Sequence, residues 1–207
     1  MKTMRLSFPT LYVLLTLSCC QPSLFEGQVT YRQQVISKHE SVDETLYNQI
    51  FGDTVRWTYK AGNYLEESNG SGSPKVIHRH SEASTYTILP DSIVQRDVSL
   101  EKKPLDSLYF SGKYMMIMQQ PCRELVKVIK GVYHRFWITN GLRVDPGSFS
   151  AYKLAYLNRQ YEYAPFHYLR YEYESAAFRI EREAVSIDYK SIDPNTFKLA
   201  KHKSFNQ

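Results

Sequence analysis

Apolar and polar residues alternate over much of the chain. Val29, Tyr31, Gln33 and Val35 interleave with Gln28, Thr30, Arg32 and Gln34, the pattern of a half-buried strand. Val55, Trp57 and Tyr59 repeat it. Val76 to His80, Thr85 to Leu89, Ser92 to Val98, Tyr114 to Gln120, Glu124 to Lys130 and Val132 to Thr139 read as further strands. Late in the chain, Leu169, Tyr171 and Tyr173 share one face against Arg170, Glu172 and Glu174. Phe178 and Ile180 continue inward, but Val185, Ile187 and Tyr189 stand at odd positions. A period of two flips only where a residue is inserted, so a β-bulge is predicted near Glu183-Ala184; unbroken pairing through those two residues would refute it.

Two segments read as short helices. In Ser41 to Phe51, Ser41 is the predicted cap, Val42, Leu46 and Ile50 recur at helical spacing, and Gly52 is the stop. Ser148 to Asn158 carries Phe149, Tyr152, Leu154, Ala155 and Tyr156 in a mixed pattern. Ser68 to Pro74 reads as a mobile loop and Asn140-Gly141 as a tight turn. About nine or ten strands and two helices follow, without βαβ alternation or a 20- to 50-residue repeat. The predicted fold is α+β and β-dominated, a curved antiparallel sheet (an incomplete barrel) over one or two short helices, because a single sheet of this size must curl to bury a face.

Composition agrees: 17 Tyr and 10 Phe in 207 residues favour strands. The length suits one domain. The formal charge is +5 and no basic stripe runs along the chain, which excludes a nucleic-acid footprint.

The beginning changes the picture most. Lys2 and Arg5 precede an apolar run, Leu11 to Leu17, which ends at Ser18-Cys19-Cys20. Basic start, apolar middle and small-residue exit make a secretory signal, and the run is too short to span a bilayer. A cysteine at the exit resembles the bacterial lipobox, whose thiol takes a diacylglycerol. The expected organisation is a lipoprotein-type signal over 1–18, a short tether over 19–24 and one domain over 25–207. Cys19 is the expected acceptor, with Cys20 as the alternative; an ordinary signal giving a soluble periplasmic protein is the rival. Gln21-Pro22-Ser23 lacks an acidic export tag, which favours a periplasm-facing outer-membrane lipoprotein of a Gram-negative envelope. With two cysteines at the exit, no disulfide framework exists. Cys122 is expected as a small buried thiol, and pairing with Cys20 stays open.

Three segments resemble exported Bacteroidota proteins grouped as DUF4412, and the related GLPGLI proteins. They are Phe25-Glu26-Gly27-Gln28-Val29-Thr30-Tyr31; Gln120-Pro121-Cys122-Arg123-Glu124 with Gly131 and Phe136-Trp137-Ile138-Thr139; and Ala184-Val185-Ser186-Ile187 with Ile192-Asp193-Pro194-Asn195-Thr196-Phe197. The GLPGLI signature is absent; Ser148-Phe149-Ser150-Ala151-Tyr152 stands where it would fall. Such proteins are similar to the LolA/LolB lipoprotein-carrier superfamily. The resemblance implies a LolA-like incomplete barrel and a cavity for a lipid or lipidated partner, and it brings no catalytic residue and no cofactor.

Candidate chemistry is sparse. His78 and His80 share a strand face, but zinc needs three or four ligands; the face is read as solvated, with no metal. Asp188, Asp193, Glu162, Glu172 and Glu174 are acidic, yet acids on outer strand faces are ordinary and no catalytic pair is assigned. No Gly-X-Ser-X-Gly elbow occurs, and Cys122 with His134 makes a dyad only if the fold brings them together. The positive candidates are Trp57, Tyr59, Tyr114, Met116, Met118, Trp137, Tyr171 and Tyr173, expected to line an apolar cavity or else to fill the core. The expected function is non-enzymatic binding or transfer of a lipid or lipidated partner. The alternatives are a structural or interaction module of the envelope and, more weakly, an envelope glycan hydrolase.

Overall fold

A computed structural model describes residues 23–39, 43–99, 104–199 and the backbone of 204–206. The expected signal over 1–18, the acceptor cysteines Cys19 and Cys20, and most of the tether lie outside the described residues.

The alternating segments form one sheet of twelve strands. In chain order they are β1 (Gly27–Ser37), β2 (Thr54–Lys60), β3 (Asn63–Ser68), β4 (Lys75–Arg79), β5 (Ser84–Ile88), β6 (Ser92–Asp97), β7 (Leu105–Ile117), β8 (Gln120–Ile129), β9 (Val132–Arg143), β10 (Phe166–Glu174), β11 (Phe178–Tyr189) and β12 (Ser204–Asn206). Their spatial order is β12-β6-β5-β4-β3-β2-β1-β11-β10-β9-β8-β7. The described pairs are antiparallel except β12 on β6. β7 and β12 stand at opposite ends of that order, so the sheet is not closed. Two short helices, α1 (Glu44–Phe51) and α2 (Leu157–Tyr163), accompany it. The fold is therefore α+β and β-dominated, with two or three strands more than the sequence pattern suggested.

Local chemistry explains where the elements differ from expectation. α1 is capped by Asp43, whose carboxylate accepts from the Thr45 N–H at 2.8 Å; Ser41 lies outside the described residues. Gly52 ends the helix at φ +79°, and a Cβ there would strike the Gly70 nitrogen at 2.4 Å. The segment after Ser68, expected to be mobile, is tied to this helix end: Ser71 and Gly72 N–H groups donate to the Gln49 and Ile50 carbonyls.

The second expected helix is a strap. Pro146–Phe149 and Leu154–Tyr156 are single 3-10 turns, and regular helix starts only at Leu157. Ala155 and Tyr156, at φ +50° and +55°, break the path between them. Asn140-Gly141 is no turn: β9 runs straight through it. Gly141 there faces the Gln120 side chain, whose Oε1 lies 2.8 Å from where a Cβ would be. The reversals fall instead at Met118-Gln119 and Lys130-Gly131, where both residues of each pair have positive φ, as two-residue hairpins require.

The bulge predicted at Glu183-Ala184 is refuted at those residues, and β11 carries its extra residue one position later. Arg32 pairs with Glu183 and Tyr31 with Ala184, so pairing is unbroken through the two residues named from the sequence; Thr30 then pairs with Ser186, leaving Val185 as the extra residue. Ala184 is buried, Val185 is exposed, and Ile187 is again opposite Val29 in the core.

The main core lies under the strap. Phe149 and Tyr161 from the strap and α2 are buried against Tyr31, Trp57 and Tyr59 of the sheet. Tyr152 reaches the Tyr64 hydroxyl at 2.9 Å, and Lys153 N–H donates to the Val98 carbonyl. Full burial of each such aromatic contributes on the order of 2 kcal/mol, so the strap is held by its own core residues as well as by hydrogen bonds.

Candidate functional site

Between the strap and the sheet lies a cavity of about 380 Å³. Strands β2, β9, β10 and β11 supply an aromatic wall: Trp57, Phe136, Tyr168, Tyr171, Tyr173 and Phe178. Leu157 and Tyr161 close it from the strap. A second cavity of about 370 Å³ shares His134, Ala155 and Tyr173 with the first, so the two form one cleft that continues towards Ile129 and Val132. Each volume is at the lower end of the about 300–1,000 Å³ of ligand pockets.

The wall also carries charge. Arg182 donates from Nη1 to Glu66 at 2.8 Å and from Nε to the Gln33 side chain. The facing Glu66 holds the guanidinium in its charged form although burial opposes it. Lys127 is buried and donates to the Ala155 carbonyl at 2.9 Å and to Gln160 Oε1 at 2.7 Å, tying β8 to the strap. Its ammonium lies 5.1 Å from the Phe136 ring centre.

Two histidines face the cavity. His134 Nδ1 lies 3.0 Å from the Tyr171 hydroxyl. His167 stacks on Trp57 with centroids 3.5 Å apart and planes 5° from parallel, and its Nδ1 meets the Tyr161 hydroxyl at 2.8 Å. Burial and the nearby Arg182 push the His167 pKa well down, so the ring is neutral. Burial raises the phenols of Tyr161, Tyr168 and Tyr171, that of Tyr168 to about 12. Arg182, Glu66 and Lys127 place charged side chains on this wall. The site thus pairs a broad apolar surface with a few fixed polar groups, suited to an amphipathic ligand.

Of the residues singled out from the sequence, the structure brings Trp57, Tyr171 and Tyr173 to the cavity. It places the others elsewhere. Tyr59 packs in the core against Trp57 and Phe149. Trp137 is buried beneath the Arg170 guanidinium, 5.5 Å from it, because Phe136 and not Trp137 has the inward phase on β9. Tyr114 and Met116 are exposed on β7, opposite in phase to the buried Ile117, and Met118 is exposed in the hairpin turn. Arg182 and Lys127 were missed, although the phase marks them: Arg182 follows Ile180 by two, and Lys127 lies between Leu125 and Ile129.

The remaining candidates have structural settings. His78 is not on a solvated face but buried among Tyr64, Phe149 and Tyr152. Cys122 is buried, and burial pushes its thiol up to about 11. Glu172 joins a cross-strand ion network with Arg135, Arg170 and Arg179. Asp188 pairs Lys190, Glu162 pairs Arg159, Glu174 pairs Lys38, and Asp193 caps the turn Pro194–Phe197. Among the described residues no cluster of three or more His, Cys, Asp or Glu can hold a metal ion.

No family matches the sequence, and neither does any curated protein. Solved structures do. A structure of PNGF-II is similar at TM-score 0.50 and 11% identity over 87% of this chain; the chain spans 32% of that protein, about a third. That likeness is one of fold alone. The Mycobacterium tuberculosis lipoprotein LppX matches over 81% of this chain and 89% of its own at 8% identity and TM-score 0.35. The LolA superfamily protein NE2245 from Nitrosomonas europaea matches over 84% and 90% at 7% identity and TM-score 0.36.

Proposed function

We propose that this protein binds an amphipathic lipid, or the lipid part of a modified partner, in the cleft beneath its strap, and that it acts by binding rather than by chemistry. One observation carries the reading: a cleft lined by eleven aromatic and aliphatic side chains, with the buried Lys127 and the half-buried Arg182 on its wall. An acyl or other apolar body gains by leaving water against such a surface, at about 25 cal/mol per Å², while the polar groups orient its head. The carboxylates that a hydrolase reading would need are engaged in ion pairs and caps. The size of the cleft favours one chain over a multiply acylated guest.

Native mass spectrometry of protein purified without detergent tests this, together with uptake of a fluorescent fatty acid. Co-purified lipid or saturable uptake is expected, and Ile180→Trp, which places an indole ring in the cleft, should lower uptake at least tenfold without unfolding the chain. Neither lipid nor uptake in the parent protein would sink the binding reading.

The same reading includes an envelope location through lipid on Cys19, supported by the layout of Lys2 to Cys20. Among the described residues no helix is long and apolar enough to cross a membrane. Cys19→Ala should abolish palmitate labelling and release the protein from the membrane fraction. Labelling that survives in Cys19→Ala and vanishes in Cys20→Ala would move the anchor by one residue.

A further inference from the structure

Large apolar side chains left in water gather at one end of the sheet. Tyr114 and Met116 are 70% and 64% exposed, unusual for such residues on a strand, and Met118 beside them is exposed in the hairpin turn. Contacts join this hairpin to the place where the described chain begins. Across the turn, Ile117 pairs with Gln120, whose Oε1 accepts from the Thr139 hydroxyl at 3.0 Å. Beside it, the Gly141 carbonyl accepts from the Tyr189 hydroxyl at 3.3 Å, and Tyr189 meets the Phe25 ring edge-on at 5.4 Å. The Phe25 N–H donates to the Arg143 carbonyl, which fixes the entry of the chain to the end of β9. Leu24 and Tyr189 are themselves exposed.

We propose that this end of the sheet is a bilayer-docking surface, on which Tyr114, Met116 and Met118 enter the interfacial layer with Leu24 and Tyr189 at its margin. Two arguments select a bilayer over a protein partner. The first is position: those contacts join the patch to Leu24-Phe25, and Cys19 stands only five residues before Leu24, a linker that spans at most about 3.5 Å per residue. The second is residue type: tyrosines place a ring in the apolar layer and a hydroxyl in the headgroups, methionine is flexible, and Lys113 and Arg123 flank Tyr114 in sequence and across the strand pair. The anchored reading contributes the tether argument; exposure and residue type stand without it. Docked this way, the domain is held at a fixed orientation rather than swinging on its tether, with its cleft at a constant height above the lipid.

The test uses the full chain reconstituted into phosphatidylcholine vesicles with a fifth of phosphatidylglycerol. Met116→Trp and, as a second probe, Tyr114→Trp report at the patch, and Tyr163→Trp, an exposed position on α2, is the control. The native Trp57 and Trp137 are buried and give the background. The expected result is a blue shift and at least twofold quenching by brominated acyl chains at positions 116 and 114, with position 163 unaffected. A vesicle-bound protein whose 116 and 114 probes stay unquenched overturns the docking surface. A blue shift without bromine quenching means that protein covers the patch, and also overturns it. The anchor is read separately: Cys19→Ala that loses palmitate yet keeps quenching at 116 retains the surface, whereas palmitate labelling with no quenching retains only the anchor.

Discussion

Two buried imidazoles, His78 and His167, make this fold sensitive to acid. His78 is 1% exposed among aromatic rings, and desolvation, helped by the charge of nearby His80, lowers its pKa from 6.5 to about 4. His167 is lowered in the same direction by burial and by Arg182. The unfolded chain therefore takes up protons that the folded chain refuses, and stability is full above pH 6.5 and is lost as pH falls towards 4. For His78 the shift amounts to about 3 kcal/mol. His78→Phe, which keeps an aromatic ring among Tyr64, Phe149 and Tyr152, should reduce the fall in melting temperature between pH 6.5 and 4, leaving the slope due to His167. An unchanged slope would remove His78 as a cause. The position of this histidine was not legible in the sequence: Val76, His78 and His80 share a phase, but only the return of the strap from seventy residues away covers the strand. Arg182 is the converse case. Its phase with Ile180 was readable, yet a guanidinium on an inward position is improbable until Glu66 is known to face it.

At the scale of elements, alternation located β1 well because one of its faces is buried along most of its length. Turn chemistry was less reliable. Asn140-Gly141 looks like a hairpin, but glycine also serves where a neighbour approaches closely, and only the packed Gln120 distinguishes the two. The β11 bulge shows how much one residue carries. Val185 itself is exposed and its side chain contributes little, so Val185→Thr should change stability by no more than about 0.5 kcal/mol. Inserting an alanine between Ser186 and Ile187 should instead cost more than about 3 kcal/mol, because it turns Ile187 away from Val29 and moves Tyr189 from the Phe25 ring. Urea denaturation of the two variants checks this. Equal, small effects would mean that β11 tolerates either register.

For the whole molecule, the decisive relation is between the sheet and the strap, and no local pattern announces it. The mixed sequence of Ser148 to Asn158 reads as a helix, whereas the chain there folds as two turns bent by Ala155 and Tyr156 so that its carbonyls and side chains meet the sheet. Lys127 is the polar tie, reaching both Ala155 and Gln160. Hydrogen bonds from a charged donor are each worth about 1.5–3 kcal/mol, comparable to the burial of one of the strap's aromatics. Lys127→Met keeps the length and apolar stem of the side chain but removes both bonds. Hydrogen exchange of amides 155–163 should then speed by at least about tenfold, while β1 and β2, whose core contacts do not involve Lys127, exchange as before. If the strap also controls entry to the cleft, the same variant takes up and releases a fluorescent fatty acid faster, with affinity falling less than the rates rise. Unchanged exchange over 155–163 would show that Phe149, Tyr152 and Tyr161 hold the strap unaided. Faster exchange with unaltered ligand rates would place the entrance elsewhere, at the open side of the cleft near Ile129 and Val132.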